Sequence, residues 1–187
     1  MNDRQVEIFE IPDVSIFATS VQSDSRGNFT NVYSREIHNS PNLNFNFSSL
    51  SFAENTFAGT IRGLHFQTPP FCEEKLIRCL EGEIFDVIVD LRPNSKTVGR
   101  WASVYLSEIM NVSLALPVGI AHGYQTILPK SKVFYGLTEK YNLNHSFSLS
   151  FNDEELGIKW PLPPTEISSK DKLGLPLDEA IALLAKL

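Results

Sequence analysis

The chain has 187 residues, of which 42% are apolar and 20% charged, with a formal net charge of −6. A chain of this length can fill one sizeable core, so a single domain over 1–187 is the expectation. The acidic balance argues against nucleic acid as the main partner, and no apolar run approaches the roughly 18–20 residues of a membrane span.

The opening stretch MNDRQVEIFEIPDV carries acids and no long apolar core. It does not resemble a secretory signal, and a cytoplasmic location is expected by default. Short runs of β-branched and aromatic residues then recur between turn residues, the pattern of an all-β chain. In chain order the predicted strands are 15–20, 29–33, 45–53, 59–67, 75–81, 82–90, 99–106, 113–116, 122–127, 132–138 and 147–151. Breaks at 24–27, 69–70, 92–94 and 129–130 suit tight connections. Glu81-Gly82 between two apolar runs predicts a hairpin turn leading into EIFDVIVDL. So many short strands predict a sandwich or barrel, with a jelly roll favoured. Residues 161–176, rich in Pro, Ser and Lys, read as an ordered arm, and 177–187 after Pro176 as a short amphipathic helix.

Cys72 and Cys79 lie seven apart without paired histidines nearby, so they read as reduced apolar residues and not as a zinc site. His38 and His145 sit in the polar stretches HNSPN and NLNHS and are expected in exposed loops. His65 in RGLHFQ and His122 in PVGIAHGYQ sit among apolar and glycine residues, where an imidazole is either a hydrogen-bonded core group or a proton carrier. The residue two after His65 is Gln67, so the H-x-H pair that holds a metal in many jelly-roll barrels is missing and no metal is expected. Lys75, between CEE and LIRC, is either a surface lysine paired with Glu73 or Glu74 or a cation for a developing oxyanion. Tyr135 in KVFYGLTEK reads alone as an aromatic core residue. Arg26 in SDSRGNF and Arg62 before Gly63 could form surface salt bridges or clamp phosphate.

Together, SDSRGNF, TIRGLHFQ, KLIRCLEGEIFDVIVDLR, SKTVGRW, LPVGIAHGYQT, FYGLTEKY, FNDEELGIKWPL and SSKD resemble the dTDP-4-dehydrorhamnose 3,5-epimerase family, in family order from about residue 11 to 171. The resemblance implies a cupin-type jelly-roll barrel without metal or redox cofactor, and a homodimer that exchanges an N-terminal strand. It implies a nucleoside-diphosphate 4-keto-6-deoxyhexose as substrate, inverted at C3 and C5. By position, His65 matches the family's base and Asp171 the carboxylate that orients it. Lys75 matches the lysine at the sugar's C4 oxygen, Tyr135 the tyrosine across the ring, and His122 a pocket histidine. Arg26, Arg62 and Lys170 match residues around the nucleotide and diphosphate.

Three positions depart from the family pattern. Asn31 stands where an acidic residue is usual, and Leu50 and Phe52 stand where polar amides help read thymine. A site without those groups discriminates pyrimidines less well, so thymidine is the leading nucleotide and cytidine an alternative. Sister activities on the same scaffold are a C3-only epimerase, a keto-sugar isomerase and a non-catalytic sugar-nucleotide binder.

Overall fold

The computed structural model describes residues 4–5, 7–36, 38 and 43–185. Two five-stranded antiparallel sheets share a core between them. One orders β1 (Ser15–Ala18), β9 (Val112–Leu116), β6 (Lys75–Glu81), β11 (Lys132–Leu137) and β4 (Ser49–Glu54). The other orders β12 (Ser146–Ser148), β5 (Ile61–Gln67), β10 (Ile120–Thr126), β7 (Glu83–Asp90) and β8 (Trp101–Ser107). A separate exposed hairpin pairs β2 (Val21–Asp24) with β3 (Gly27–Thr30).

Strand periodicity explains how this arrangement builds a site. On β7, Ile84 and Ile88 point between the sheets, while Phe85, Val87 and Val89 point to the opposite face. That outer face is covered by the C-terminal arm, through Leu149, Leu156 and Ile158 and then Leu177, Ala180 and Leu184. The sheet is therefore buried on both sides, which is why EIFDVIVD is nearly continuous in apolar residues. Each fully buried aliphatic side chain contributes roughly 1.5–3 kcal/mol. Parallel bridges Ile61–Ile167 and Leu149–Leu175 tie the arm down, and between them lies a single helical turn, α1 (Ser169–Lys172). The last helix, α2, spans Leu177–Leu183. Of the predicted 177–187, residues 186 and 187 lie outside the described residues.

Several expectations need correction. Glu81-Gly82 forms no hairpin, because β6 and β7 belong to opposite sheets and Gly82 carries the chain from one to the other. Gly82 has φ +78°, and a Cβ there would lie 2.5 Å from Ser131 Oγ, so glycine is required. The predicted strand 45–53 is extended only over Ser49–Glu54. Its first part instead packs Phe45, with Leu43, onto Leu76 and Ala115 at the outer face of the other sheet. His38 is 3% exposed and not in an exposed loop. A turn returns its backbone N–H to Ser34, and its ring sits between Phe17 and Tyr33 at centroid distances of 5.1 and 5.2 Å. His145 is half-buried, with Nδ1 3.0 Å from Thr68 Oγ1 and its ring against Phe71. Both cysteines are free, and burial pushes the Cys79 thiol up to about 12, which leaves it unreactive.

Candidate active site

The space between the sheets is apolar at one end, around Ile77, Ile84, Ile88, Leu114 and Val133. At the other end the same inward-facing positions carry polar groups and open into a cavity of about 560 Å³. Strand phase places them there. On β5, Leu64 and Phe66 point to the outer core, so His65 and Gln67 point inward. On β11, Val133 and Tyr135 face inward while Phe134 packs outside. Lys75 opens β6, opposite Leu116 and Leu137 in register.

His65 is paired in register with His122 of β10 on one side and Ser148 of β12 on the other. Its Nε2 lies 2.6 Å from Asp171 Oδ1. Asp171 sits on α1, capped by Ser168, whose Oγ accepts the Asp171 N–H. Ser148 Oγ donates to the same Oδ1 at 2.7 Å, and the Gly63 N–H donates to Oδ2 at 3.3 Å. Burial would raise this carboxyl, but bonds from His65, Ser148 and Gly63 outweigh it and hold Asp171 at about 2. An ionised carboxylate only accepts hydrogen bonds, so Nε2 of neutral His65 carries its proton and Nδ1 is left as the basic nitrogen. Gly63 lets β10 lie close against β5 beside this pair. It adopts φ +109°, and a Cβ there would sit 2.6 Å from the His122 carbonyl oxygen.

Tyr135 faces the cavity from the opposite sheet, with its ring 6.1 Å from that of His122. Burial, with Tyr124 bonded to its hydroxyl, pushes this phenol well above the ordinary tyrosine range, so it is held protonated. His122 Nε2 lies 2.8 Å from Asp86 Oδ2, and both side chains are buried. Lys75 Nζ lies 2.7 Å from Glu73 Oε1, with 7% and 6% of the side chains exposed, so the lysine is neither free nor at the surface.

Two cations at the cavity have neutral partners. Arg62 donates to Asn55 Oδ1 at 2.8 Å and to the Glu54 carbonyl at 3.2 Å. Lys170 donates to Ser146 Oγ at 2.9 Å and stands 5.6 Å over the Tyr141 ring. No carboxylate within ion-pair distance of either is seen among the described residues, so both charges are available to an anion.

Seven of the nine residues singled out from sequence therefore line one cavity: Arg62, His65, Lys75, His122, Tyr135, Lys170 and Asp171. Arg26 and Asn31 do not. Arg26 is clamped to Asp24 at 2.5 Å at the tip of the exposed hairpin, and Asn31 follows that hairpin in the exposed chain. Leu50 and Phe52 are 62% and 61% exposed on β4, in register with Gly136 and Phe134 and so on the face opposite Tyr135. Sequence reasoning passed over Asp86 and Ser148. Asp86 was detectable as an acid in phase with Ile84 and Ile88 in an apolar strand, whereas nothing in SFSLS marks Ser148.

A carboxylate-oriented imidazole on one wall, a protonated phenol on the other and a paired ammonium beside them suit proton transfer at carbon next to a carbonyl. The model of the family described as dTDP-4-dehydrorhamnose 3,5-epimerase matches residues 9–179. The dTDP-4-dehydrorhamnose 3,5-epimerase of Salmonella typhimurium is 36% identical over 181 residues, covering 91% of this chain and 94% of its own. The Bacillus anthracis enzyme of that name, solved with TDP and PPi bound, superposes with a TM-score of 0.84 at 35% identity, over 91% of this chain and 98% of its own. The Legionella pneumophila dTDP-6-deoxy-D-glucose-3,5-epimerase, solved with dTDP-4-keto-L-rhamnose, gives 0.85 at 30% identity and 95% of both chains.

Proposed function

The chain belongs to the dTDP-4-dehydrorhamnose 3,5-epimerase family, and from that premise we propose that it inverts C3 and C5 of a nucleoside-diphosphate 4-keto-6-deoxyhexose. The observation that supports this reading is that an oriented imidazole and a phenol face one cavity from opposite sheets. His65 with Asp171 comes from β5 and α1, and Tyr135 comes from β11 across the cavity.

A hydrogen on carbon next to a ketone becomes removable when charge can pass to the ketone oxygen. His65 Nδ1 takes the proton, and the C–H electron pair forms the enolate with its charge on the C4 oxygen. The Lys75 ammonium stabilises that oxygen as charge develops. Tyr135 then gives its hydroxyl proton to the same carbon from the opposite face, and the centre is inverted. The histidine loses its extra proton to water and the tyrosinate regains one before the second centre reacts. Each acid–base group of this kind contributes typically about 10²–10⁴-fold. Arg62 and Lys170 would meet the diphosphate, since their charges have neutral partners.

We also propose a homodimer in which the β2–β3 hairpin reaches the neighbouring subunit's cavity. This reading is supported by Arg26 not lining its own chain's cavity and by the exposure of Phe29 and Val21 on the hairpin, 64% and 37%. Thymidine is the leading nucleotide and cytidine the alternative, since Leu50 and Phe52 lie on the face opposite Tyr135 and bring no hydrogen-bonding group to this cavity.

The deciding experiment is incubation with dTDP-4-keto-6-deoxyglucose in D₂O, followed by NMR. Deuterium at both C3 and C5 supports the proposal. Label at C3 alone moves the assignment to a C3-epimerase, and no label with this or the cytidine analogue removes catalysis from the reading.

A further inference from the structure

We propose that Glu73 is the positioning residue for Lys75 and that the pair acts as one unit at the C4 oxygen. The inference rests on the epimerase reading above and adds a residue to it. Glu73 lies in the loop just before β6, and its Oε1 meets Lys75 Nζ at 2.7 Å while both side chains line the cavity. Its other oxygen, Oε2, accepts from Gln67 Nε2. Gln67 is itself fixed, with Nε2 also facing the carbonyls of Phe71 and Lys140 and its Oε1 accepting the Asn142 N–H at 2.7 Å. Both carboxylate oxygens are thus committed, and Glu73 can aim the ammonium in one direction.

An ammonium on a four-carbon stem samples many rotamers, and an oxyanion stabiliser works only when its direction is set before charge develops. A sealed ammonium also needs a counter-charge, because a buried ion left alone is strongly disfavoured. The other acids at the cavity are already committed or remote from this task. Asp171 is bound to His65, Ser148 and Gly63, Asp86 is bound to His122, and Glu166 is exposed. Glu73 alone among the described acids contacts Lys75 within ion-pair distance. Gln67 follows His65 by two residues on the same inward face of β5, so one network ties the base's strand to the oxyanion's cation.

The test is a double-mutant cycle of Glu73→Gln, Lys75→Gln and both together, read in two ways. Without substrate, each single variant strands one buried charge and lowers Tm, while the double variant melts above either single. With dTDP-4-keto-6-deoxyglucose in D₂O, Glu73→Gln lowers kcat for exchange by roughly 10- to 100-fold with KM held within about threefold. In the Lys75→Gln background the same change costs less than about twofold. Glu73→Asp, which keeps the charge one methylene short, recovers part of the lost kcat.

Equal losses in both backgrounds, or wild-type kcat in Glu73→Gln, overturn the positioning role while leaving the epimerase reading intact. Additive losses of Tm around the cycle overturn the pairing itself. A wild-type protein that exchanges no carbon-bound hydrogen overturns the reading and this inference with it.

Discussion

His65 Nε2 and Asp171 Oδ1, separated by 106 positions in sequence, stand 2.6 Å apart because the C-terminal arm folds back over β5. The arm is pinned there by the Ile61–Ile167 bridge on one side and the Leu149–Leu175 bridge on the other. A contact made by so remote a segment fixes the tautomer of the imidazole and leaves Nδ1 as its basic nitrogen.

Asp171→Asn tests that dependence. The amide can donate to Nε2 where the carboxylate could only accept, so the basic nitrogen moves to the wrong side of the ring. Exchange at C3 and C5 should fall by about 10²–10⁴-fold with secondary structure unchanged by circular dichroism. Wild-type exchange rates in this variant would remove the orienting role.

The same carboxylate predicts an acid-sensitive part of stability. The carboxyl is held at about 2 against an ordinary 3.8, through bonds that outweigh its burial. A group whose folded value is depressed stabilises the native state above its unfolded value and loses that contribution as pH falls through the folded one. The window runs from about pH 4 down to about pH 2, and the contribution is about 2 kcal/mol. Urea midpoints at pH 6 and pH 3 should therefore fall further for wild type than for Asp171→Asn. Equal falls would contradict the assignment.

Tyr135→Phe separates proton removal from proton return. His65 remains able to take hydrogen, so deuterium should still enter from solvent on the face it left. Inverted product should drop by about 10²-fold or more. If exchange and inversion fell together, the acid could not be assigned to the opposite wall.

Gly63→Ala should be destabilising by about 2 kcal/mol or more, because φ is +109° and the new Cβ meets backbone 2.6 Å away with no flexible side chain to yield. Thermal melting would detect it directly. A loss of a few tenths of a kcal/mol would mean that β5 and β10 can separate at no cost.

Much of this was legible in the chain, and the reasons differ by residue. The all-β class and most strands followed from alternation, and both His65 and His122 stood out because imidazoles are rare among apolar and glycine neighbours. The connection of His65 to Asp171 came only through the family motifs, since SSKD alone reads as a polar turn. The Glu81-Gly82 turn misled because a hairpin and a sheet-to-sheet crossing share the same glycine requirement. His38 misled because polar neighbours in sequence said nothing of Phe17 and Tyr33, which enclose it in space.

The most direct measurement is the rate of solvent-deuterium entry into dTDP-4-keto-6-deoxyglucose with His65→Asn at neutral pH. The substitution leaves Asp171 with Ser148 and the Gly63 N–H as partners, which preserves the arm. With the imidazole gone, entry at both C3 and C5 should fall by at least about 10²-fold. Entry at the wild-type rate would place the base elsewhere and contradict the account.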